Sequence, residues 1–213
     1  MIARDAFRFL IPLIVLTLAS FGLHWLWLGV VLLSLTVFVT FFFRNPPRTI
    51  PADPSVIVSP ADGKVVKIDR VGNVTKVSIF LSLFNVHVNR SPIAGRIEAL
   101  DYRKGTFKAA YNPAASIENE RNVIMISDGR IKLVFTQIAG VVARRIVFWK
   151  RVGDVVEKGE LVGLIRFGSR VDILFPAGTE ATVAVGDRVR GGSSPIGVIR
   201  RNDGGSAQQT KIH

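Results

Sequence analysis

Val152-Gly153-Asp154-Val155-Val156-Glu157-Lys158-Gly159-Glu160-Leu161 and Val185-Gly186-Asp187-Arg188-Val189-Arg190-Gly191-Gly192-Ser193-Ser194 are two copies of one pattern, 33 residues apart. Each closes on a Gly-apolar-Ile ending, Gly163-Leu164-Ile165 and Gly197-Val198-Ile199. Gly-Asp reads as a turn, since glycine takes positive φ without a Cβ clash and aspartate bonds its own backbone. The valines after it read as a short strand entering a core. Two copies are too few for a solenoid. They differ at one chemically interesting place: Ser193 stands where the first copy has Glu160, directly after a glycine.

Outward from the repeat, Val- and Ile-rich runs bounded by Gly, Asp and Pro predict short strands. They fall at 56–58, 63–68, 75–80, 85–89, 124–126, 131–138, 171–175 and 181–185. Helical periodicity is weak beyond residue 50. The V-G-D-x-V-x-x-G unit resembles the turn-and-strand unit of biotinyl/lipoyl-type β-sandwiches. The expected fold is therefore mainly β, a sandwich or barrel-like domain over residues 55–201. Pro46, Pro47, Pro51 and Pro54 make residues 44–54 a stiff linker, and the polar residues 202–213 read as a flexible tail.

Before the linker lies a different solvent problem. From Phe9 to Phe43 no residue carries a formal charge, and Arg4 and Arg8 precede the run while Arg44 and Arg48 follow it. The run is too long for a signal peptide, and no small-residue cleavage site follows it. With basic flanks at both ends, the positive-inside tendency favours a shallow hairpin turning near Gly22-Leu23-His24, its ends on the cytoplasmic face of the cell membrane. A single tilted pass through residues 25–43 is the other arrangement. Either way residues 1–43 form a helical membrane segment.

The 28 Lys and Arg against 16 Asp and Glu give a net charge of +12. Residues 1–43 hold only Arg4, Asp5 and Arg8, so residues 44–213 carry +11. A basic domain tethered to a bilayer points to an anionic membrane surface as partner. Nucleic acid is not expected, because basic residues are not interleaved with aromatics in any recognition motif. Cysteine is absent and the histidines are only His24, His87 and His213. That excludes disulfides, thiolate nucleophiles and Cys- or His-rich metal sites, and no metal is expected.

Three stretches could carry chemistry. Gly191-Gly192-Ser193-Ser194 is a tight turn or a reactive loop; it is neither a phosphate loop nor a nucleophile elbow, since no G-K-[ST] follows and Pro195 ends it. In Phe84-Asn85-Val86-His87-Val88-Asn89-Arg90, alternation puts Asn85, His87 and Asn89 on one strand face, either a solvated stripe or the seat of a group that titrates near neutral pH. Asp62, in Ser59-Pro60-Ala61-Asp62-Gly63-Lys64, is either a turn residue or a carboxylate that orients an imidazole.

Those stretches, together with Glu118-Asn119-Glu120-Arg121-Asn122 and the apolar N-terminus, occur in an order that resembles the phosphatidylserine decarboxylases of the short, membrane-anchored type. The family's self-cleavage motif is often written L-G-S-T, and this chain has Gly191-Gly192-Ser193-Ser194, which keeps the Gly-Ser pair. The resemblance implies a proenzyme cut between Gly192 and Ser193 into a large chain, 1–192, and a small chain, 193–213, which remain together. It implies that Ser193 becomes a covalent pyruvoyl group, the only cofactor, which forms a Schiff base with the amine of phosphatidylserine. Decarboxylation then yields phosphatidylethanolamine and CO₂. It further implies His87 as base in the cut and proton donor in turnover, with Asp62 orienting it. Arg121 is a candidate for the substrate phosphate or carboxylate, or for a structural ion pair. Two other readings of the same residues are a membrane-anchored serine peptidase using Ser193, His87 and Asp62, and a non-enzymatic carrier or adaptor module suggested by the repeat.

Overall fold

A computed structural model describes residues 1–106, 118–140, 145–166 and 169–200. The expected tail, 202–213, lies outside the described residues. After a short 3₁₀ turn, Arg4–Ala6, helices α1 (Phe7–Gly22) and α2 (Leu26–Phe42) pack side by side. The turn between them is made by Leu23 and His24, and His24 adopts φ 60°. The helices approach closely at Gly29, where a Cβ would meet the Phe21 ring at 2.6 Å. Their hydroxyls are satisfied internally: Thr17, Ser20, Ser34, Thr36 and Thr40 each donate to the carbonyl four residues earlier. That removes the penalty for placing them in an apolar medium. The outer faces expose Ile11, Leu18, Trp27, Val31 and Val37. The stretch Arg4–Gly22 is long and apolar enough to cross a membrane by length and composition.

The rest of the chain is mainly β and antiparallel. The strands are β1 (Val56–Val58), β2 (Gly63–Val71), β3 (Val74–Leu81), β4 (Val88–Arg90), β5 (Gly95–Arg103), β6 (Arg121–Ser127) and β7 (Lys132–Ala139), followed by β8 (Ile146–Phe148), β9 (Val155–Val156), β10 (Leu161–Ile165), β11 (Ser169–Phe175), β12 (Thr179–Ala181), β13 (Arg188–Val189) and β14 (Pro195–Ile199). Among the described residues they form one eight-stranded sheet, β13-β2-β3-β11-β7-β6-β5-β9, and two three-stranded sheets, β1-β14-β12 and β4-β10-β8. Val65, Ile79, Ile97, Ile124, Phe135, Ile173 and Phe175 are fully buried in the shared core, each of the larger ones contributing about 1.5–3 kcal/mol of transfer free energy.

The internal repeat is deeper than the V-G-D pattern. Gly153 and Gly186 adopt φ 95° and 106°, and the aspartate after each accepts a backbone N–H three residues earlier, from Arg151 and Ala184, both at 2.8 Å. Each turn then docks on a matching strand. Val65 and Gly186 exchange bonds with Asp187 and Val65 as Ile97 and Gly153 do with Asp154 and Ile97. The receiving segments are themselves related: Ser59-Pro60-Ala61-Asp62-Gly63 and Ser91-Pro92-Ile93-Ala94-Gly95. In both, the serine hydroxyl donates to the carbonyl two residues on, at 2.6 Å. Both following strands carry a bulge, at Val65/Lys67 and Ile97/Ala99.

Two expected strands change. The run 85–89 is strand only from Val88, and 181–185 is strand only at Ala181, the last residue of β12. The nine-residue β5, Gly-Arg-Ile-Glu-Ala-Leu-Asp-Tyr-Arg, was not foreseen. Six of its nine residues are exposed and four of those six are charged, so it lacks an apolar run and pairs through its backbone with β6.

Candidate functional site

The pseudo-symmetry puts two loops in the same backbone state. Gly159 and Gly192 adopt φ 78° and 79°. Each donates its N–H at 2.8 Å to the serine of the opposing segment, Gly159 to the Ser91 carbonyl and Gly192 to the Ser59 carbonyl. The chain returns the bond from Ser91 N–H to Glu160 O and from Ser59 N–H to Ser194 O. Glycine is required at 192 on two counts. Its φ is left-handed, and a Cβ would fall 2.7 Å from Cδ of the buried Arg90.

The two copies then part company. Asp62 has Ala94 as its counterpart, and Ser193 has Glu160. Oδ1 of Asp62 accepts the Gly191 N–H at 2.8 Å, and both carboxylate oxygens accept from Arg48, at 2.8 and 2.9 Å. Glu160 is instead tied to Lys150 and to the Glu157 N–H. Ser193 N–H donates to the Arg190 carbonyl at 3.1 Å, whereas its hydroxyl has no hydrogen bond among the described residues. Ser193 is half-buried and opens on a cleft of about 980 Å³, whose walls include Asp62, Lys64, Phe84, Asn85, Arg188 and Arg190.

His87 is not among the residues that line that cleft, although Asn85, two residues before it, is. His87 is 2% exposed, its ring 4.2 Å from the Phe42 ring at the end of α2. Nδ1 is 2.9 Å from the Asn85 carbonyl. A carbonyl only accepts, so Nδ1 carries the proton and Nε2 holds the lone pair. Burial lowers its pKa to about 4, the Asn85 carbonyl opposes the shift, and Arg44 adds to it. The imidazole is thus neutral at pH 7.

The structure therefore places Asp62 against the Gly192–Ser193 loop, and the group that fixes the His87 tautomer is the Asn85 carbonyl. Of the stripe Asn85, His87 and Asn89, read as a possible solvated face, His87 and Asn89 are buried, whereas Asn85 is half-buried and lines the cleft. Asn89 accepts from Gln137 Nε2 at 2.8 Å, and Gln137 accepts from Asn122, a polar chain crossing the core to the Pro60 carbonyl. Arg121 starts β6 opposite Arg103, within electrostatic reach of Asp101, and is not among the residues lining the Ser193 cleft.

Sequence reasoning missed Arg48 and Arg90. Arg90 is buried beneath Gly192 and donates to the Gly159 carbonyl at 2.8 Å and to Asn45 Oδ1 at 2.7 Å. It thus joins the two glycine loops and the segment leaving α2. Burial lowers its pKa, as does Arg48, while Asp62 opposes. The signal available was the second repeat, Ser-Pro-x-x-Gly at 59 and 91, which sets Asp62 against Gly191 by analogy with the docking of the other copy.

The fold and site are those of a β domain with two related turn loops, of which one has glutamate and the other serine after its left-handed glycine. The family model described as phosphatidylserine decarboxylase matches residues 35–197. A protein of Syntrophus aciditrophicus is 46% identical over 208 residues, 93% of this chain and 97% of that one. One of Carboxydothermus hydrogenoformans is 45% identical over 205 residues, 92% and 96%. One of Solibacter usitatus is 50% identical over 165, 78% and 80%. All three are named phosphatidylserine decarboxylase proenzyme. The chain belongs to the phosphatidylserine decarboxylase family and is a carboxy-lyase.

Proposed function

We propose that the chain cuts itself between Gly192 and Ser193 and then decarboxylates phosphatidylserine to phosphatidylethanolamine at a pyruvoyl group made from Ser193. The observation that carries this is the asymmetry of the twin loops. The same left-handed glycine, bonded through its N–H to a serine carbonyl, recurs at 159 and 192, but only the second is followed by a hydroxyl without a partner among the described residues and preceded by an N–H, that of Gly191, bound to a carboxylate.

In the cut, Ser193 Oγ adds to the Gly192 carbonyl carbon, the peptide C–N bond breaks, and the proton lost from Oγ ends on the freed amine, leaving an ester. Removal of the Ser193 α-proton expels the Gly192 carboxylate and leaves dehydroalanine. Tautomerisation to the imine and addition of water release ammonia and leave a ketone. Neutral His87, with its lone pair on Nε2, suits the base. Ser193 and His87 are not hydrogen-bonded here, and such contacts commonly tighten only in the reacting geometry. Asp62 holds the loop through Gly191.

The residues at the site fit the group: position 193 faces the cleft and no Cβ is tolerated before it. Once formed, it supplies a carbonyl that accepts the electron pair released with CO₂. The chain's own part is to hold the lipid. Lys64, Arg188 and Arg190 around the cleft suit a phosphate and a carboxylate. An imidazole held near pKa 4 is a poor proton donor at pH 7, so its role in turnover is as a neutral hydrogen-bonding group.

The domain plan follows. Residues 1–43 anchor the chain as a hairpin in the cytoplasmic leaflet of the cell membrane, 44–54 connect, and 55–201 form the catalytic unit. Exposed Phe84 lines the cleft while its carbonyl is held by Arg44 at the end of α2, at 2.6 Å. The cleft therefore opens where the apolar helices end, so a lipid headgroup reaches it without leaving the bilayer. Intact mass of the purified protein tests the reading. Two fragments are expected, with the fragment from position 193 blocked to Edman degradation. Protein that is active and uncut would overturn it in favour of the peptidase.

A further inference from the structure

We propose that a second lipid site, separate from the Ser193 cleft, lies at the foot of the helical hairpin and takes the phosphodiester of an anionic phospholipid. A cavity of about 480 Å³ there is walled by Arg4, Asp5, Arg8, Arg145, Arg166 and Trp149. It shares no residue with the Ser193 cleft. Four guanidinium groups face one carboxylate. Asp5 is already engaged, accepting the Trp149 indole N–H at 3.0 Å and pairing with Arg166 only loosely, at 3.6 Å.

Arg166 shows the deficit. Its side chain is 14% exposed, and its Nε is buried with no hydrogen-bond partner. Burial lowers its pKa; Asp5 opposes this, and Arg145 and Arg8 push the same way as burial. Gathering like charges and desolvating one of them is unfavourable unless an anion joins them. A phosphodiester offers acceptor oxygens in the geometry that guanidinium forks match.

The neighbouring space argues for a lipid over a free anion. A cavity of about 710 Å³ shares Arg4 and Trp149 with the basic one, and its other walls include Met1, Ile2, Val88 and Leu161. Inorganic phosphate would use only the basic half, whereas a phospholipid fills both. The site sits at headgroup depth if the hairpin lies in the bilayer, and to that extent it rests on the anchoring proposed above.

The test is done in nonionic detergent, so it does not depend on bilayer insertion or on turnover. Trp25→Phe and Trp27→Phe leave Trp149 as the only indole. That protein is titrated with dihexanoyl phosphatidylglycerol, dihexanoyl phosphatidylcholine and inorganic phosphate while Trp149 emission is followed. The phosphatidylglycerol response should saturate, weaken about tenfold in Arg8→Gln and vanish in Arg166→Gln, with Arg166→Lys recovering part of it. An equal response to phosphatidylcholine, an equal affinity for inorganic phosphate, or unchanged titrations in Arg8→Gln would each overturn the proposal. Arg8 is exposed, so its variant keeps the test meaningful should Arg166→Gln fail to fold.

Discussion

Arg48 and Asp62 form a largely buried ion pair, 9% and 13% exposed at 2.8 Å, and the same carboxylate holds the Gly191 N–H. The segment leaving the membrane helices is thereby bonded to the loop that carries Ser193. Removing one partner of a buried pair leaves the other uncompensated, at about 3–5 kcal/mol, whereas removing both is far milder. Arg48→Gln is expected to destabilise the protein by about that amount and to slow maturation. Arg48→Gln combined with Asp62→Leu should regain stability by urea denaturation yet still mature slowly, because Gly191 has lost its acceptor. If the double variant matures at the wild-type rate, Asp62 acts on stability alone.

The twin glycines give a matched control. An alanine at 192 meets a left-handed φ and the Arg90 side chain, and an alanine at 159 meets a left-handed φ and the Ile50 side chain. Each should cost about 1–3 kcal/mol. Only Gly192→Ala should block self-cleavage, read as a single band on a denaturing gel. Glu160→Ser adds the missing hydroxyl to the inert loop, but Ala94 stands there in place of Asp62, so cutting at Gly159 is not expected. A new fragment ending at Gly159 would show that backbone geometry alone suffices.

His87 makes stability depend on pH in a defined window. Its folded pKa, about 4, lies below the ordinary 6.5, so between these values the unfolded chain binds the additional proton and stability falls as pH falls. Above about pH 6.5 there is no penalty, and by pH 4 it amounts to about 3 kcal/mol. Urea unfolding of wild type and His87→Gln, each relative to its own value at pH 7, should diverge by roughly this amount at pH 4. Parallel pH profiles would mean that the imidazole is solvated.

How far could the sequence be read? The β character, the Gly-Asp turns and the apolar helices follow from local chemistry, so turn residues and hydropathy report them. The Gly192-Ser193 loop was visible as a departure of one repeat copy from the other. Alternation places His87 on a face, but its apolar cover comes from α2, whose Phe42 lies 45 residues away in sequence, and Asn89 is met by Gln137 of β7 and the Pro60 carbonyl. Nothing local encodes that. The pairing of Asp62 with Arg48, and the Asn85 carbonyl at Nδ1, also escaped notice. The first is set by how a proline-rich segment without regular structure lies across the domain, and no periodicity records such a path; the second is a contact over two residues that alternation hides, because 85–87 is not strand.

The contact between Phe42 and His87 supplies the last prediction, because it makes a helix of the hairpin part of the site's electrostatics. Desolvation is the largest cause of the low pKa, and the Phe42 ring, 1% exposed, is one face of the apolar cover. Truncating it admits water to the imidazole while leaving the Asn85 bond in place. Phe42→Ala should therefore move the His87 pKa upward, toward 6.5, and shift the acid limb of the maturation-rate profile in the same direction. A buried Phe→Ala change costs about 3–5 kcal/mol on its own. Phe42→Leu, which keeps most of the cover, separates the two effects: stability should drop modestly while the acid limb stays near its original position. The rate is read by densitometry of cleaved and uncut protein after a pH jump. If Phe42→Ala leaves the acid limb where it was, either His87 is not the base or its environment is set within the β domain alone. His87→Gln then decides between these, since normal maturation in that variant removes His87 from the cut.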